Sequence, residues 1–165
     1  MRSPGLAVGS AVVVAVLVID GCSGGGSHPP KSPSPKATSA PPATKAAISK
    51  AYAALFGTKS TLAESVASLQ NGQALKSIIV AESKKPAAKG SGARVTAVSL
   101  RSSNVAKVTF TIYSNGSPAL PNASGFAVQQ NGKWTVAAQT FCSLLSLSGP
   151  TPKPCRDPKI TALPG

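Results

Sequence analysis

The stretch ARVTAVSLRSSNVAKVTFTIY (residues 93–113) decides the predicted fold, because apolar and polar residues alternate along both of its halves. In the second half, four apolar side chains would share one face of a strand: Ala106, Val108, Phe110 and Ile112. The residues between them would share the other face: Lys107, Thr109 and Thr111. A period of two residues is typical of a half-buried β-strand. The stretch therefore predicts two strands separated by residues 102–104.

The residues that follow extend this pattern into an antiparallel sheet. SNGSPALPN (residues 114–122) is predicted to be a loop, because it is rich in turn-forming residues. GFAVQQ (125–130) and KWTVAAQTF (133–141) are predicted to be two more strands. They flank Asn131-Gly132, and an Asn-Gly pair in this setting is the strongest short-range sign of a β-hairpin.

Three helices are predicted before the strands, over residues 44–57, 60–72 and 73–85, from apolar residues at helical spacing. Thr61 and Glu64 have the spacing of a capping box, in which each side chain binds the free amide of the other residue. Helices followed by an antiparallel meander indicate the α+β class. We therefore expect N-terminal helices packed on one face of a strongly curved antiparallel sheet.

The N-terminal residues 1–21 are predicted to be a signal peptide. Arg2 gives a positive start, and residues 6–19 are almost entirely apolar, a run that is too short to span a bilayer comfortably. A buried helix and an uncleaved anchor are the alternatives. Asp20 and Gly21 directly after the run disfavour a core helix.

The end of this segment, Ile19-Asp20-Gly21-Cys22, resembles the lipobox of bacterial lipoproteins: an aliphatic residue, a variable one, a small one and then cysteine. The resemblance implies cleavage before Cys22, a diacylglyceryl group on its thiol and an acyl group, such as palmitate, on its new amine. Asp20 departs from the usual small or aliphatic residue. The implied location is the extracytoplasmic face of the cell membrane, where two or more acyl chains hold a protein stably.

Residues 22–43 are predicted to form the lipidated cysteine and a disordered tether, since they are rich in Gly, Ser and Pro and have no apolar periodicity. His28, the single histidine of the chain, lies here without partners for a metal site. The Ser and Thr residues beside proline suit either O-linked sugar or a plain spacer.

The folded part resembles the C-terminal domain of the mycobacterial low-molecular-weight secreted antigen family. The matching segments are AYAALFGTKSTLAESVASLQNGQAL (51–75), NGSPALP (115–121), GFAVQQNGKWTV (125–136) and TFCSLL (140–145). The likeness covers about residues 44–155. It implies a nuclear-transport-factor-2-like cone over residues 44–148, in a small exported actinobacterial protein of a family with no established enzymatic activity.

The chain has 3 cysteines, an odd number that needs explaining in an exported protein. If Cys22 carries lipid, Cys142 and Cys155 remain as a pair, and an oxidising compartment permits a disulfide between them. Such a bridge would clip the proline-rich tail, residues 149–165, to the domain. The alternative is a buried free thiol at Cys142 and an exposed one at Cys155.

Catalysis finds little support in the sequence. The folded part has only Glu64 and Glu82 as acids before Asp157, and no Asp or His lies in the predicted strands. General acid–base catalysis needs such a group in the right place, so we predict no catalytic residue, metal or cofactor. An isomerase or hydratase of the cone fold is the alternative.

Three aromatic residues are candidates for the lining of a pocket in the cone: Tyr52, Phe110 and Trp134. Simple core packing is the alternative role for them.

The formal net charge of +13 favours an anionic partner, such as anionic lipid or a wall polymer. Nucleic acid is disfavoured, because aromatics make up only 4% of the chain and the lysines are scattered. A basic surface without any partner is the other interpretation. The predicted function is a non-enzymatic, membrane-anchored lipoprotein whose domain binds a partner protein or an apolar ligand. An accessory subunit of an envelope or lipid-import assembly is the alternative.

Overall fold

The computed structural model describes residues 38–164. The predicted signal peptide, Cys22 and residues 23–37 of the predicted tether lie outside the described residues. The helices and strands follow one another as β1 (Thr38–Ser39), α1 (Pro42–Phe56), α2 (Leu62–Ala67), α3 (Gly72–Ser83), β2 (Gly92–Leu100), β3 (Val105–Ser114), β4 (Ser117–Gln130), β5 (Lys133–Val136), α4 (Ala138–Ser146) and α5 (Pro158–Thr161). Short 3-10 turns form at Pro86–Ala88 and Lys153–Arg156. None of the described helices has the length and apolar character that crossing a membrane requires.

The five strands form one antiparallel sheet in the order β1-β2-β3-β4-β5. The sheet is not closed, since β1 and β5 are its two ends. The predicted hairpin at Asn131-Gly132 is confirmed: both residues have positive φ angles, 50° and 75°, and Gln130 pairs with Lys133. The predicted α+β class with an antiparallel meander is therefore confirmed.

The predicted loop at residues 114–122 is wrong, because β4 already begins at Ser117. Asn115 and Gly116 have φ angles of 51° and 78° and form a second tight turn between β3 and β4. The prolines in this part of β4 are tolerated because β5 pairs only with Ala127–Gln130. Residues 117–126 of β4 have no described strand on that side, so this part of β4 is an edge of the sheet. Proline is tolerated in edge strands because its missing amide leaves no partner strand unpaired.

The predicted strand over residues 133–141 is also corrected: β5 ends at Val136, and α4 follows. The N-cap residue of α4, Ala137, has no side chain that could cap the helix. Instead, the Gln70 side-chain oxygen accepts a hydrogen bond from the Ala138 amide at 3.0 Å. A distant glutamine thus satisfies one of the free amides at the start of α4.

The described fold begins before Thr44, inside the range predicted as tether. β1 pairs with the end of β2, Thr38 opposite Leu100 and Ser39 opposite Ser99. The Ala40 amide then donates to the Val98 carbonyl at 3.1 Å, and α1 starts two residues later. The entry to the domain is therefore fixed to the sheet.

The capping box predicted for the second helix is confirmed. The Thr61 amide donates to Glu64 Oε2 at 2.8 Å, and the Glu64 amide donates to Thr61 Oγ1 at 3.2 Å. Asn71-Gly72, predicted to end this helix, instead begins the next one, since α2 already ends at Ala67. Asn71 has a φ of 53°, a left-handed conformation that asparagine tolerates better than most residues.

The main core combines buried residues of α1 to α4 with residues of strands β2 to β5. α1 contacts both β2 and β5. The largest fully buried side chains come from α1, α3 and strands β3 to β5: Tyr52, Phe110, Ile48, Leu75, Val108, Val128 and Val136. The apolar face predicted for β3 is confirmed for Ala106, Val108 and Phe110, each with 0% of its surface exposed.

Candidate functional site

Tyr52 and Phe110, two of the residues expected to line a pocket, contact each other in the core. Their ring centroids lie 4.8 Å apart, and both have 0% exposure. The Tyr52 hydroxyl donates to the Phe126 carbonyl at 3.0 Å. Burial raises the pKa of the Tyr52 phenol, only partly opposed by a hydrogen bond with Thr140. The hydroxyl is therefore neutral and already hydrogen-bonded. Neither ring lines either of the two grooves described below.

Trp134, the third candidate, lies 8% exposed at the end of a groove of about 1000 Å³. We call this the larger groove. α1, α2, the start of β2 and the β4–β5 turn line it. Apart from Trp134, its apolar lining consists of alanines: Ala47, Ala51, Ala53, Ala54, Ala63, Ala67 and Ala93. The structure thus places Trp134 in the lining of a groove that Tyr52 and Phe110 do not line, although all three belong to one core cluster.

A smaller groove of about 700 Å³ lies beside the end of α2. Its walls come from the residues between α2 and α3, from the β4–β5 hairpin, and from Lys159 and Ile160 of the C-terminal tail. Four side-chain amides line it: Asn71, Gln73, Gln130 and Asn131. It is therefore more polar in character than the alanine-lined larger groove.

The tail that completes the smaller groove is held in place covalently. Cys142 in α4 is bonded to Cys155, with their Cα atoms 5.4 Å apart, so the predicted disulfide is confirmed. Two side chains ahead of α3 add hydrogen bonds to the tail: Gln70 Nε2 donates to the Ala162 carbonyl at 2.9 Å, and Asn71 Nδ2 donates to the Ile160 carbonyl at 2.8 Å.

The three carboxylates of the described residues all have structural partners. Glu64 accepts the capping-box bonds from Thr61, which lower the pKa of its carboxyl. Glu82 pairs with Lys85 at 2.7 Å, and Asp157 accepts from the Lys159 amide at 2.8 Å as the N-cap of α5. Within residues 38–164, no group of His, Cys, Asp and Glu has the arrangement of a metal site.

Apart from Trp134, sequence reasoning did not find the residues that build the two grooves. Gln70 is 4% exposed and bonds to both α4 and the tail. In the sequence it is one polar residue after an apolar stripe, with no sign of such partners. The alanines of α1 likewise appear in the sequence only as good helix formers.

Comparison with known proteins gives one family match. Residues 40–152 match the family model described as low molecular weight antigen MTB12, C-terminal domain. No curated protein and no solved structure matches the chain significantly. The match begins directly after β1, continues past the end of α4 and therefore covers most of the chain. It confirms the predicted resemblance, and the chain belongs to the family of the low molecular weight antigen MTB12 C-terminal domain.

Proposed function

We propose that the protein is an exported lipoprotein, anchored by Cys22 to the extracytoplasmic face of the cell membrane, which presents its folded domain to a partner. The disulfide carries this proposal. Because Cys142 and Cys155 are bonded to each other, Cys22 is the cysteine left over. It directly follows the Ile19-Asp20-Gly21 segment that resembles a lipobox.

A lipid on Cys22 gives the rest of the sequence a consistent role. One acyl chain binds a membrane marginally, whereas a diacylglyceryl group with a further acyl chain holds stably. The Gly/Ser/Pro-rich residues 23–37 then separate the domain from the bilayer. A net charge of +13 favours a position near anionic lipid heads or wall polymers.

The nuclear-transport-factor-2-like cone is part of the same proposal. α1 contacts both β2 and β5, which have β3 and β4 between them in the sheet order. One helix reaches both strands most readily if the sheet bends around it, which supports a cone. Tyr52, Phe56 and Phe110 form an aromatic cluster inside, so side chains fill the place of a deep pocket.

The filled interior favours a binding role over an isomerase or hydratase. Such an enzyme needs a titratable group at a substrate cavity. The buried Tyr52 hydroxyl is engaged with the Phe126 carbonyl, and the three described carboxylates have structural partners. Partner binding on an outer groove therefore fits the described residues better than chemistry inside the domain.

The test is a comparison of Cys22→Ala with a matched Ser23→Ala control in the native host. We expect Cys22→Ala to leave the membrane fraction or to remain an uncleaved precursor. Mass spectrometry of the mature N-terminal peptide should show the acyl groups in the Ser23→Ala control. Normal processing and membrane retention of Cys22→Ala would contradict the proposal.

A further inference from the structure

The two grooves meet on the surface of α2. Ala67 and Lys133 line both of them, so the larger and smaller grooves adjoin at these two residues. We call the combined feature the α2 cleft. It is open to solvent and runs from α1 on one side to the C-terminal tail on the other.

The charges that line the α2 cleft are almost all positive. Four lysines line it: Lys50, Lys59, Lys133 and Lys159. Glu64 is the one acidic residue among the lining residues, and its carboxylate already accepts two hydrogen bonds from Thr61, at 2.8 Å and 3.0 Å. An anionic ligand would therefore meet lysine ammonium groups and one carboxylate that is already engaged.

The floor of the larger groove in the α2 cleft is made of small side chains, whereas Val66, Leu69 and Ile160 also line the smaller groove. In the larger groove the apolar lining is alanine apart from the largely buried Trp134. In the smaller groove Ala67 and Ala74 lie beside side-chain amides such as Gln73 and Gln130. Alanine lets a backbone approach closely, and amides can bond to peptide groups.

We infer that the α2 cleft binds an extended, acidic peptide segment of a partner protein. The inference deepens the proposed function, on which it rests, by naming the partner class and the surface. In an extended segment successive side chains point to opposite sides. Acidic side chains on one side reach the lysines, while small ones on the other pack on the alanine floor.

Other occupants fit the α2 cleft less well. An acyl chain needs an enclosed apolar site, whereas the cleft is open and its larger groove offers mainly alanine methyl groups. A sugar polymer stacks on exposed aromatic rings, and Trp134 is only 8% exposed.

The chain itself is also a poor occupant. Residues 23–37 have no Asp or Glu but include Lys31 and Lys36, so they are repelled by a lysine-lined surface. A second copy of the chain brings a net charge of +13 to the same surface. An occupant of the cleft needs negative charge to complement the lysines, so it has to be a different molecule.

The test is fluorescence anisotropy with the full chain purified from cells in mild detergent. The probe is a labelled peptide of alternating Glu and Ala, compared with a peptide of alternating Gln and Ala. We expect the Glu-Ala peptide to bind, with an affinity that falls as salt is raised, and the Gln-Ala peptide not to bind.

Two variants locate the binding, each with a matched control. Lys133→Gln removes the lysine that lines both grooves, and Lys76→Gln makes the same charge change on α3, outside the cleft. Ala67→Phe blocks the meeting point without a change in charge, and Ala81→Phe places the same bulk on exposed α3 surface. We expect Lys133→Gln to weaken binding by about tenfold, the effect of losing one charged contact. Ala67→Phe should weaken it by about the same factor, because the added ring obstructs the place where the two grooves meet. Both controls should bind like the parent.

Three outcomes would overturn the inference: no binding of the Glu-Ala peptide, equal loss in Lys133→Gln and Lys76→Gln, or unchanged binding by Ala67→Phe. The inference would also be wrong if vesicles of anionic lipid displaced the peptide and Ala67→Phe bound those vesicles normally. The lysines would then bind a membrane surface instead of a peptide. The state of Cys22 is measured separately by mass spectrometry. If a lipidated chain does not bind the peptide, this inference is wrong and the proposed lipid anchor stands. If an unlipidated chain binds the peptide, the proposed anchor is wrong and this inference stands.

Discussion

The rings of Tyr52 in α1 and Phe110 in β3 lie 4.8 Å apart, in tilted contact, with no exposed surface on either residue. The contact joins the first long helix to the middle strand of the sheet. The Tyr52 hydroxyl extends past it to the Phe126 carbonyl of β4, so one side chain connects three elements. The pair is therefore part of the packed core and lines neither of the two grooves.

Replacing Tyr52 should change how stability depends on alkaline pH. Burial raises the pKa of the folded phenol, so the unfolded chain releases the proton first, near the ordinary tyrosine pKa of about 10. Stability from the neutral phenol is complete below that pH and is lost as the pH rises above it. Urea unfolding at about pH 9 and about pH 11 should show a smaller loss for Tyr52→Phe than for the parent. Tyr113→Phe is the control, and an identical loss in Tyr52→Phe and the parent would refute the prediction.

Adding a methyl group at Gly125 should destabilise the domain. A Cβ atom there would overlap the side chain of Thr140 and lie 3.1 Å from Phe110 Cε1. Thr140 cannot move freely, because its Oγ1 accepts from the Phe126 amide at 2.7 Å. We expect Gly125→Ala to lower the free energy of unfolding by about 2 kcal/mol, as overpacking does.

Gly92→Ala is the matched control for that change, since a Cβ atom at Gly92 meets nothing within 4 Å. Both substitutions add the same methyl group to a strand. Equal unfolding midpoints for the two variants would show that the space beside Thr140 is not as tight as described.

Removing the disulfide should destabilise the chain and free its tail. The bond closes a loop with a sequence separation of 13 residues. Loss of such a cross-link costs about 3 kcal/mol in the chain-entropy account. The double variant Cys142→Ala/Cys155→Ala should unfold at lower urea, and the amides of residues 159–163 should exchange faster with solvent. Cys22→Ala keeps the bond and is the control, so equal loss in both would contradict this assignment.

The ionised Glu64 carboxylate of the capping box should stabilise the domain at neutral pH and lose this effect in acid. Hydrogen bonds from Thr61 lower the pKa of the folded Glu64 carboxyl below that of the unfolded chain. Its contribution is therefore present above the unfolded pKa of about 4.3 and is lost as the pH falls through the folded pKa. Glu64→Gln should show a weaker acid dependence of the unfolding midpoint than the parent.

Thr61→Ala examines the same pair from its other side, because it removes the hydroxyl that bonds to both the Glu64 amide and carboxylate. It too should flatten the acid dependence. A parent-like acid dependence in both variants would exclude the capping box as its source.

Most of the secondary structure could be predicted from local patterns. The strands β2 and β3, the three N-terminal helices, the Asn131-Gly132 turn and the capping box at Thr61 depend on residues close in sequence. The disulfide followed from the cysteine count. Apart from the disulfide, each of these features is determined by residues within a few positions of it in the sequence.

The errors lie where the cause is distant. α4 begins at a position without a local cap, and its Ala138 amide instead donates a hydrogen bond to the side-chain oxygen of Gln70, 68 residues earlier. The prolines of β4 argued for a loop, and they are tolerated because β5 is only 4 residues long. The α2 cleft depends on the tail, which two amide side chains hold against the connection between α2 and α3 and a disulfide joins to α4. No pattern in the sequence indicated that contact.

The two residue pairs of β1 have a mechanical consequence. They join the start of the domain to Leu100 and Ser99 at one edge of the sheet. A pull applied to the chain ahead of Thr38 would load these pairs and the Ala40–Val98 hydrogen bond before it reached α1. Under tension β1 would separate first and lengthen the connection, while the disulfide-closed end and the sheet behind it stayed folded.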